Sequence, residues 1–274
     1  MKIKRIAGAL GAEISGVDLT QSISPDLAAE IREVFLKHEV IFLRNQLLSS
    51  PQFMDFANAM GEPVEYPFVK GLDGFPQIIE VKKLEHETVN FGGVWHSDTT
   101  YLDLPPMGSM LLAKEIPPYG GDTLFASQYA AYEALSDTMQ RLLEGLQGIS
   151  TSAKADVSKT REDRLKTDGK SSTPKDFSSK HPVVRTHPET GRKALYVNIA
   201  HTAGIEGLTE QESTPLLNFL FQHQVKPEFT CRWAWEPDTL TFWDNRCAQH
   251  NPINDYHGFR RVLHRITLKG DKPV

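Results

Sequence analysis

His96 and Asp98 stand two residues apart in Trp95-His96-Ser97-Asp98-Thr99-Thr100, and His250 closes the distant run Trp243-Asp244-Asn245-Arg246-Cys247-Ala248-Gln249-His250. In an extended strand, residues i and i+2 project to the same side, so an imidazole and a carboxylate would emerge together. A second imidazole from far along the chain would place two His and one carboxylate on one face of a metal. That donor set leaves coordination positions open and suits non-haem Fe(II), which must also hold an oxidant and a co-substrate. In a chain with ten His, an isolated H-x-D pair is equally compatible with a surface or capping role.

A second group of residues bears on the same chemistry. Phe259 to Leu268 reads as a strand in which Arg261, Leu263 and Arg265 share one face and Val262, His264 and Ile266 the other. The strand follows His250 closely and is expected to form a hairpin with the metal-bearing strand. Two guanidiniums beside a metal would bind carboxylates or other oxyanions, because the planar fork of Arg matches them in bidentate fashion. His264, on the opposite face, is expected to be a packed core residue. Cys247 is out of phase with His250 and is not counted as a ligand. His38, His181, His187 and His223 have no partner in view and read as structural or surface residues.

Other segments must hold these groups in place. Residues 1–20 read as short strands punctuated by Gly8, Gly11 and Gly16. Ser24-Pro25-Asp26 and Ser50-Pro51 carry helix-start signals, with Ser as cap and Pro at the first helical position. Val40 to Leu43 and Met107 to Ile116 read as buried strands, and residues 83–94 as a loop delivering the chain to the H-x-D pair. Helical patterning covers 128–146, and Thr209-x-x-Glu212 is a capping box opening another helix. Residues 152–180 are polar and read as a lid over the site, with a disordered insertion of no role as the open alternative. Many short strands with few helices predict a mainly β fold with flanking helices, in which sequence-distant strands face one another. No linker divides the chain, so residues 1–274 are expected to form one domain.

Composition narrows the class. The chain has 274 residues, 39% hydrophobic and 24% charged, as ordinary globular proteins do. A net charge of −5 argues against nucleic-acid binding. Two cysteines imply no disulfide framework. There is no membrane-length apolar run and no apolar leader at the N-terminus, so a cytoplasmic protein is expected.

Taken together, Trp95-His96-x-Asp98, Gly120-Gly121-Asp122-Thr123, Trp243-Asp244-Asn245-Arg246-x-x-Gln249-His250 and Arg260-Arg261-x-x-His264-Arg265 resemble a known family. It is that of the Fe(II)- and 2-oxoglutarate-dependent dioxygenases of the taurine dioxygenase and 2,4-dichlorophenoxyacetate dioxygenase group. The resemblance runs from the Gly8 to Val17 segment to Gly270-Asp271-Lys272-Pro273. It implies a double-stranded β-helix, or jelly roll, with His96, Asp98 and His250 as iron ligands. It implies that Thr123 and Arg261 bind the distal carboxylate of 2-oxoglutarate and that Arg265 contacts the anionic group of the primary substrate. It further implies O2 as co-substrate, release of succinate and CO2, hydroxylation of a substrate C–H bond, and a homodimer or homotetramer. Asp98 argues against the related halogenases, which need a small residue there.

The resemblance departs in the substrate pocket. Tyr66, Val69 and Gly92 stand where taurine dioxygenases place a His, a Tyr and an Asn, and His201 occupies an aromatic position after Val197-Asn198. Losing polar donors matters in a pocket that selects by hydrogen bonding. A small carboxylate, sulfonate or sulfate ester is therefore expected in preference to taurine. Two alternatives stay open: the same iron site performing desaturation or another oxidation, and a non-oxygenase jelly roll holding Zn or another metal. The Thr123/Arg261 pair discriminates, because a zinc site has no need of a 2-oxoglutarate cradle.

Overall fold

A computed structural model describes residues 1–90, 92–154 and 177–274. Most of the segment expected to form a lid, 152–180, lies outside the described residues. The chain opens with β1 (Lys2–Arg5), β2 (Ala12–Ser15), α1 (Pro25–His38), β3 (Val40–Leu43) and α2 (Ser50–Met60). Next come β4 (Pro63–Val64), β5 (Ile78–Lys83), β6 (Gly108–Glu115), β7 (Thr123–Ser127), α3 (Gln128–Glu133) and α4 (Asp137–Leu143). β8 (Gln147–Thr151), β9 (Ser178–Pro182), β10 (Val184–Thr186), β11 (Lys193–Leu195) and β12 (Thr202–Ile205) precede α5 (Glu210–His223). The last elements are β13 (Thr230–Trp233), β14 (Leu240–Asp244), β15 (Ala248–Pro252) and β16 (Arg261–Leu268).

The large sheet has the order β1-β2-β3-β14-β6-β16-β4, with β5 also paired to β16. Its central strands are covered on both sides, which explains why β3 is apolar at every position. One side packs on α1 and α2: Ile41, Leu43, Leu112, Phe242 and Ile266 meet Ile31, Phe35, Phe53 and Phe56. The other side packs on the small sheet β13-β7-β15, where Phe42, Leu111, Trp243 and Leu263 meet Phe125, Cys231, Trp233 and Ala248. Phe42 stacks on Trp233 with ring centroids 3.9 Å apart. Two face-to-face sheets with helices outside form the expected jelly roll.

Local signals account for most boundaries. Ser24 caps α1 by accepting from Leu27 N–H at 3.2 Å, with Pro25 opening the helix. α2 is capped by Ser49 rather than Ser50, because Gln52 sits where it completes the capping box. The helical pattern over 128–146 resolves into α3 and α4, because Ser136 starts a new helix by accepting from Met139 N–H. Thr209 N–H donates to Glu212 at 2.8 Å, as the box opening α5 predicts. One topological expectation fails. β15 pairs with β7, whereas β16 pairs with β4, β5 and β6, so the two are not a hairpin. The connection between them crosses from the small sheet to the large one, tied down where Ile253 N–H donates to Asp122 C=O at 2.8 Å. His250 and the arginines therefore lie on opposing sheets.

Candidate functional site

His96, Asp98 and His250 come together between the sheets, 9%, 3% and 7% exposed. Strand alternation is not the cause. His96 forms an isolated antiparallel bridge with His250, each N–H donating to the other's carbonyl at 3.0 and 2.8 Å. Asp98 lies in the turn that follows, next to Thr99 with φ 42°. The expected strand fails because its partner is a single residue, and the chain turns as soon as the bridge is made. The Nε2 atoms of His96 and His250 lie 3.7 and 3.9 Å from Asp98 Oδ1.

Second partners fix which lone pairs remain. His96 Nδ1 lies 2.7 Å from Val94 C=O, so it carries the proton and Nε2 keeps its lone pair. Burial lowers the pKa of both imidazoles, which holds them in the neutral form a metal binds. Burial opposes ionisation of Asp98, but the Arg265 guanidinium, with the Ser109 hydrogen bond, outweighs it and holds the carboxyl well below the usual range. Two imidazole nitrogens and one carboxylate oxygen thus converge, and these donors fit a divalent metal. At Gly92, φ is +70° and an added Cβ would lie 3.0 and 3.3 Å from His96 Cε1 and Nε2. Glycine there leaves the ligating edge of the imidazole uncovered.

Behind the cluster, Asp98 Oδ2 accepts from Ser109 Oγ at 2.7 Å and from Arg265 Nη2 at 2.9 Å. Asn245 Oδ1 accepts from Asp98 N–H at 3.2 Å and from Trp243 Nε1 at 2.9 Å, while its Nδ2 donates to Ser109 at 3.2 Å. The Trp-Asp-Asn run thus holds the carboxylate turn. Sequence reasoning missed Ser109; its signal was one hydroxyl inside the apolar run Met107 to Leu112.

Thr123 and Arg261 mark a neighbouring end of the site. Arg261 is buried, yet its Nε and Nη2 have no hydrogen-bond partner. The Trp235 and Tyr256 rings flank its guanidinium at 5.5 and 5.9 Å. Trp235 Nε1 donates to Thr123 Oγ1 at 3.0 Å, which leaves the hydroxyl proton available. The Gly120-Gly121 turn packs directly on this corner: a Cβ at Gly121 would lie 3.1 Å from Tyr256 and 3.3 Å from Arg261 Cδ, and its φ is +70°. A buried guanidinium with unused donors calls for an anion.

Arg265 occupies the space between Asp98 and the Tyr66 ring, whose centroid lies 5.1 Å from its guanidinium carbon. Its Nε is buried and without a partner. Tyr66 and Val69 share a buried cluster with Ile79. Phe68 contacts Tyr66, Tyr101 and Phe177 edge to face at 5.4, 5.8 and 5.6 Å. His201 closes the far side, 5.0 Å from the Tyr101 ring and 5.9 Å from that of His96. Its Nδ1 meets Thr100 Oγ1 at 3.1 Å, and burial pushes its pKa down to about 3. The expected pocket residues therefore do gather beside His96 and Arg265, against an aromatic wall. His181 and His223 instead bind the carbonyls of Leu102 and Ala131 at 2.9 and 2.8 Å, as structural residues do. His264 is half-buried and stands between Glu80 and Leu112 in the large sheet.

Known proteins resemble this chain over nearly its whole length. Residues 2–267 match the family described as "Taurine catabolism dioxygenase TauD, TfdA family". This chain belongs to the TauD/TfdA family. It is 34% identical to an alkylsulfatase from Acinetobacter baylyi, over 99% of this chain and 86% of that protein. It is 32% identical to an alpha-ketoglutarate-dependent sulfate ester dioxygenase from Pseudomonas putida, over 100% of this chain and 91% of that protein. The crystal structure of a taurine dioxygenase from Burkholderia xenovorans superposes with a TM-score of 0.85 at 36% identity, over 100% of this chain and 92% of the other. Membership makes the chain a 2-oxoglutarate-dependent dioxygenase with a metal centre. Among the described residues, no helix is long and apolar enough to cross a membrane.

Proposed function

We propose that the protein is an Fe(II)- and 2-oxoglutarate-dependent dioxygenase that hydroxylates a small anionic substrate, with a sulfate ester or sulfonate favoured over taurine. In this reading His96, Asp98 and His250 hold the iron, and Thr123 and Arg261 hold the distal carboxylate of 2-oxoglutarate. Bound iron, 2-oxoglutarate and O2 together supply the oxidising equivalent for C–H hydroxylation, with release of succinate and CO2. The observation that carries the proposal is the pairing of the His/Asp/His cluster with the buried, unpartnered donors of Arg261. A zinc hydrolase has no use for that second feature.

The chain's own residues do the positioning. Arg265 orients the substrate anion through its unused Nε while Nη2 stays on Asp98. Tyr66, Phe68, Tyr101 and His201 offer aromatic faces to the body of the substrate and keep water away from the reacting carbon. Val69 and Gly92 add no hydrogen-bonding side chain, which favours an apolar body over an amino group. Hydroxylation at the carbon bearing a sulfate would release sulfate and leave an aldehyde.

The test is anaerobic loading with Fe(II) and 2-oxoglutarate, then exposure to air with a panel of alkyl sulfates, alkylsulfonates and carboxylates. We expect succinate to rise with at least one sulfate ester or sulfonate and aldehyde to accumulate in step with it. Succinate that no anion stimulates would remove the substrate assignment. No 2-oxoglutarate consumption by iron-loaded protein would remove the dioxygenase.

A further inference from the structure

Lys83 ends β5 and is a Cα partner of Arg261 across the antiparallel pair. Ile79, Val81 and Lys83 alternate along β5, opposite Arg265, Leu263 and Arg261 on β16, so these side chains share the inner face of the sheet. Lys83 is 4% exposed, and its Nζ has no hydrogen-bond partner. Its ammonium rests 4.1 Å from the centroid of the Tyr256 ring, the same ring that flanks Arg261 at 5.9 Å. That ring is itself fixed, because Tyr256 Oη donates to Asn90 Oδ1 at 2.8 Å. The nearby Glu87 accepts from Leu84 N–H at 2.5 Å and does not hydrogen-bond Lys83. Burial lowers the pKa of Lys83, and Glu87 partly offsets this.

Two cations directly opposite on neighbouring strands repel, and an unpaired buried cation is unfavourable. Both conditions are relieved by one anion placed between them. A carboxylate has about four lone-pair positions, more than one guanidinium fork can use. We propose that Lys83 is a second cationic anchor for the distal carboxylate of 2-oxoglutarate, acting with Arg261 and Thr123 on the side bounded by Tyr256. The inference rests on the dioxygenase reading above and adds a residue to its co-substrate site. In the sequence Lys83 reads as the start of the 83–94 loop, whereas β5 runs on to include it; its phase with Ile79 and Val81 was the available signal.

The test separates the distal carboxylate from the rest of the co-substrate. Protein loaded with Mn(II), which does not turn over, is titrated calorimetrically with 2-oxoglutarate and with 2-oxovalerate, which lacks the distal carboxylate. Lys83→Met should weaken 2-oxoglutarate binding about 30-fold or more. It should leave 2-oxovalerate binding within about twofold of wild type, the scatter allowed for a distant substitution. Lys83→Arg should restore most of the lost affinity. The ligand-free melting temperature of Lys83→Met should be unchanged or raised, since a buried unpaired charge is removed, while the rise induced by 2-oxoglutarate shrinks. Unchanged 2-oxoglutarate affinity in Lys83→Met, alongside a loss in Arg261→Met, would overturn the assignment and spare the dioxygenase. Equal weakening of both keto acids would also overturn it. A wild-type protein that binds Mn(II) but no 2-oxoglutarate would overturn both readings.

Discussion

Among the described residues, two buried clusters could by composition hold a metal: His96/Asp98/His250 and His187/Asp244/Cys247. Each gathers three donor atoms within 4.8 Å. They differ in what their lone pairs already do. His187 Nδ1 accepts from Glu189 and Thr190 N–H at 3.2 and 3.1 Å, so Nε2 carries the proton and donates to Asp244 Oδ2 at 3.0 Å. Asp244 Oδ1 accepts from Arg246 N–H and Nε at 2.9 and 2.8 Å, and Oδ2 accepts from Arg246 Nη2 at 2.7 Å. Burial raises the Cys247 pKa well above its usual value and keeps it a thiol, which is not the ligating form. This second cluster is saturated by its own protein. In the first, Asp98 Oδ1 and His96 Nε2 keep their lone pairs, and only Asp98 Oδ2 is taken. Residue types nominate a metal site, and unspent lone pairs distinguish it.

That difference can be attacked from both sides. The largest effect is expected for His96→Ala, which should weaken Fe(II) binding by more than about 100-fold, the upper range for loss of a mere outer-shell partner. His187→Ala should leave the affinity per folded molecule unchanged; equilibrium dialysis of both variants decides this. Asp244→Ala should instead act on stability. It strands Arg246, which keeps only Glu189 at 2.7 Å, and removing one member of a buried pair costs about 3 kcal/mol or more. Urea unfolding would show it, and a loss under 1 kcal/mol would mean the cluster is not structural.

Ser109→Ala should fall between these behaviours. It removes one of the donors fixing Asp98 Oδ2, so metal affinity should drop about 10-fold with little change in unfolding free energy. A separate effect, on the pH dependence of stability alone, concerns Glu39, beside the saturated cluster, whose Oε1 accepts from Ser127 Oγ at 2.8 Å. Burial raises its pKa to about 8 from an ordinary value of 4.5. Between those two values the unfolded chain has lost the proton while the folded one keeps it. Stability should therefore fall as pH rises from 4.5 to 8, by up to about 1.4 kcal/mol per pH unit, and level off above. Glu39→Gln should flatten that limb relative to wild type, as urea midpoints at pH 5 and pH 8 would show.

Much of this was legible in the chain. The H-x-D pair, the remote His250 and the Gly-Gly-Asp-Thr and Arg-x-x-x-Arg runs marked the residues that gather between the sheets. Capping signals at Ser24 and Thr209 marked the helices that β strands lean on. What stayed hidden depends on long-range partners. His96 looks like a strand residue until its single bridge to His250 is known. The β15–β16 hairpin was a reasonable reading of a short connection, but this connection crosses from one sheet to the other. Arg265 read as a substrate contact alone, since nothing local reveals its ion pair with Asp98. His187 seemed unpartnered because Asp244 lies far along the chain.

The most direct measurement is the iron content and visible spectrum of anaerobic protein given Fe(II) and then 2-oxoglutarate, compared among wild type, His96→Ala and His187→Ala. The account predicts a single iron per chain and a weak charge-transfer band on adding 2-oxoglutarate in wild type and in folded His187→Ala, with neither in His96→Ala. Iron and the band surviving in His96→Ala, or vanishing in folded His187→Ala, would contradict it.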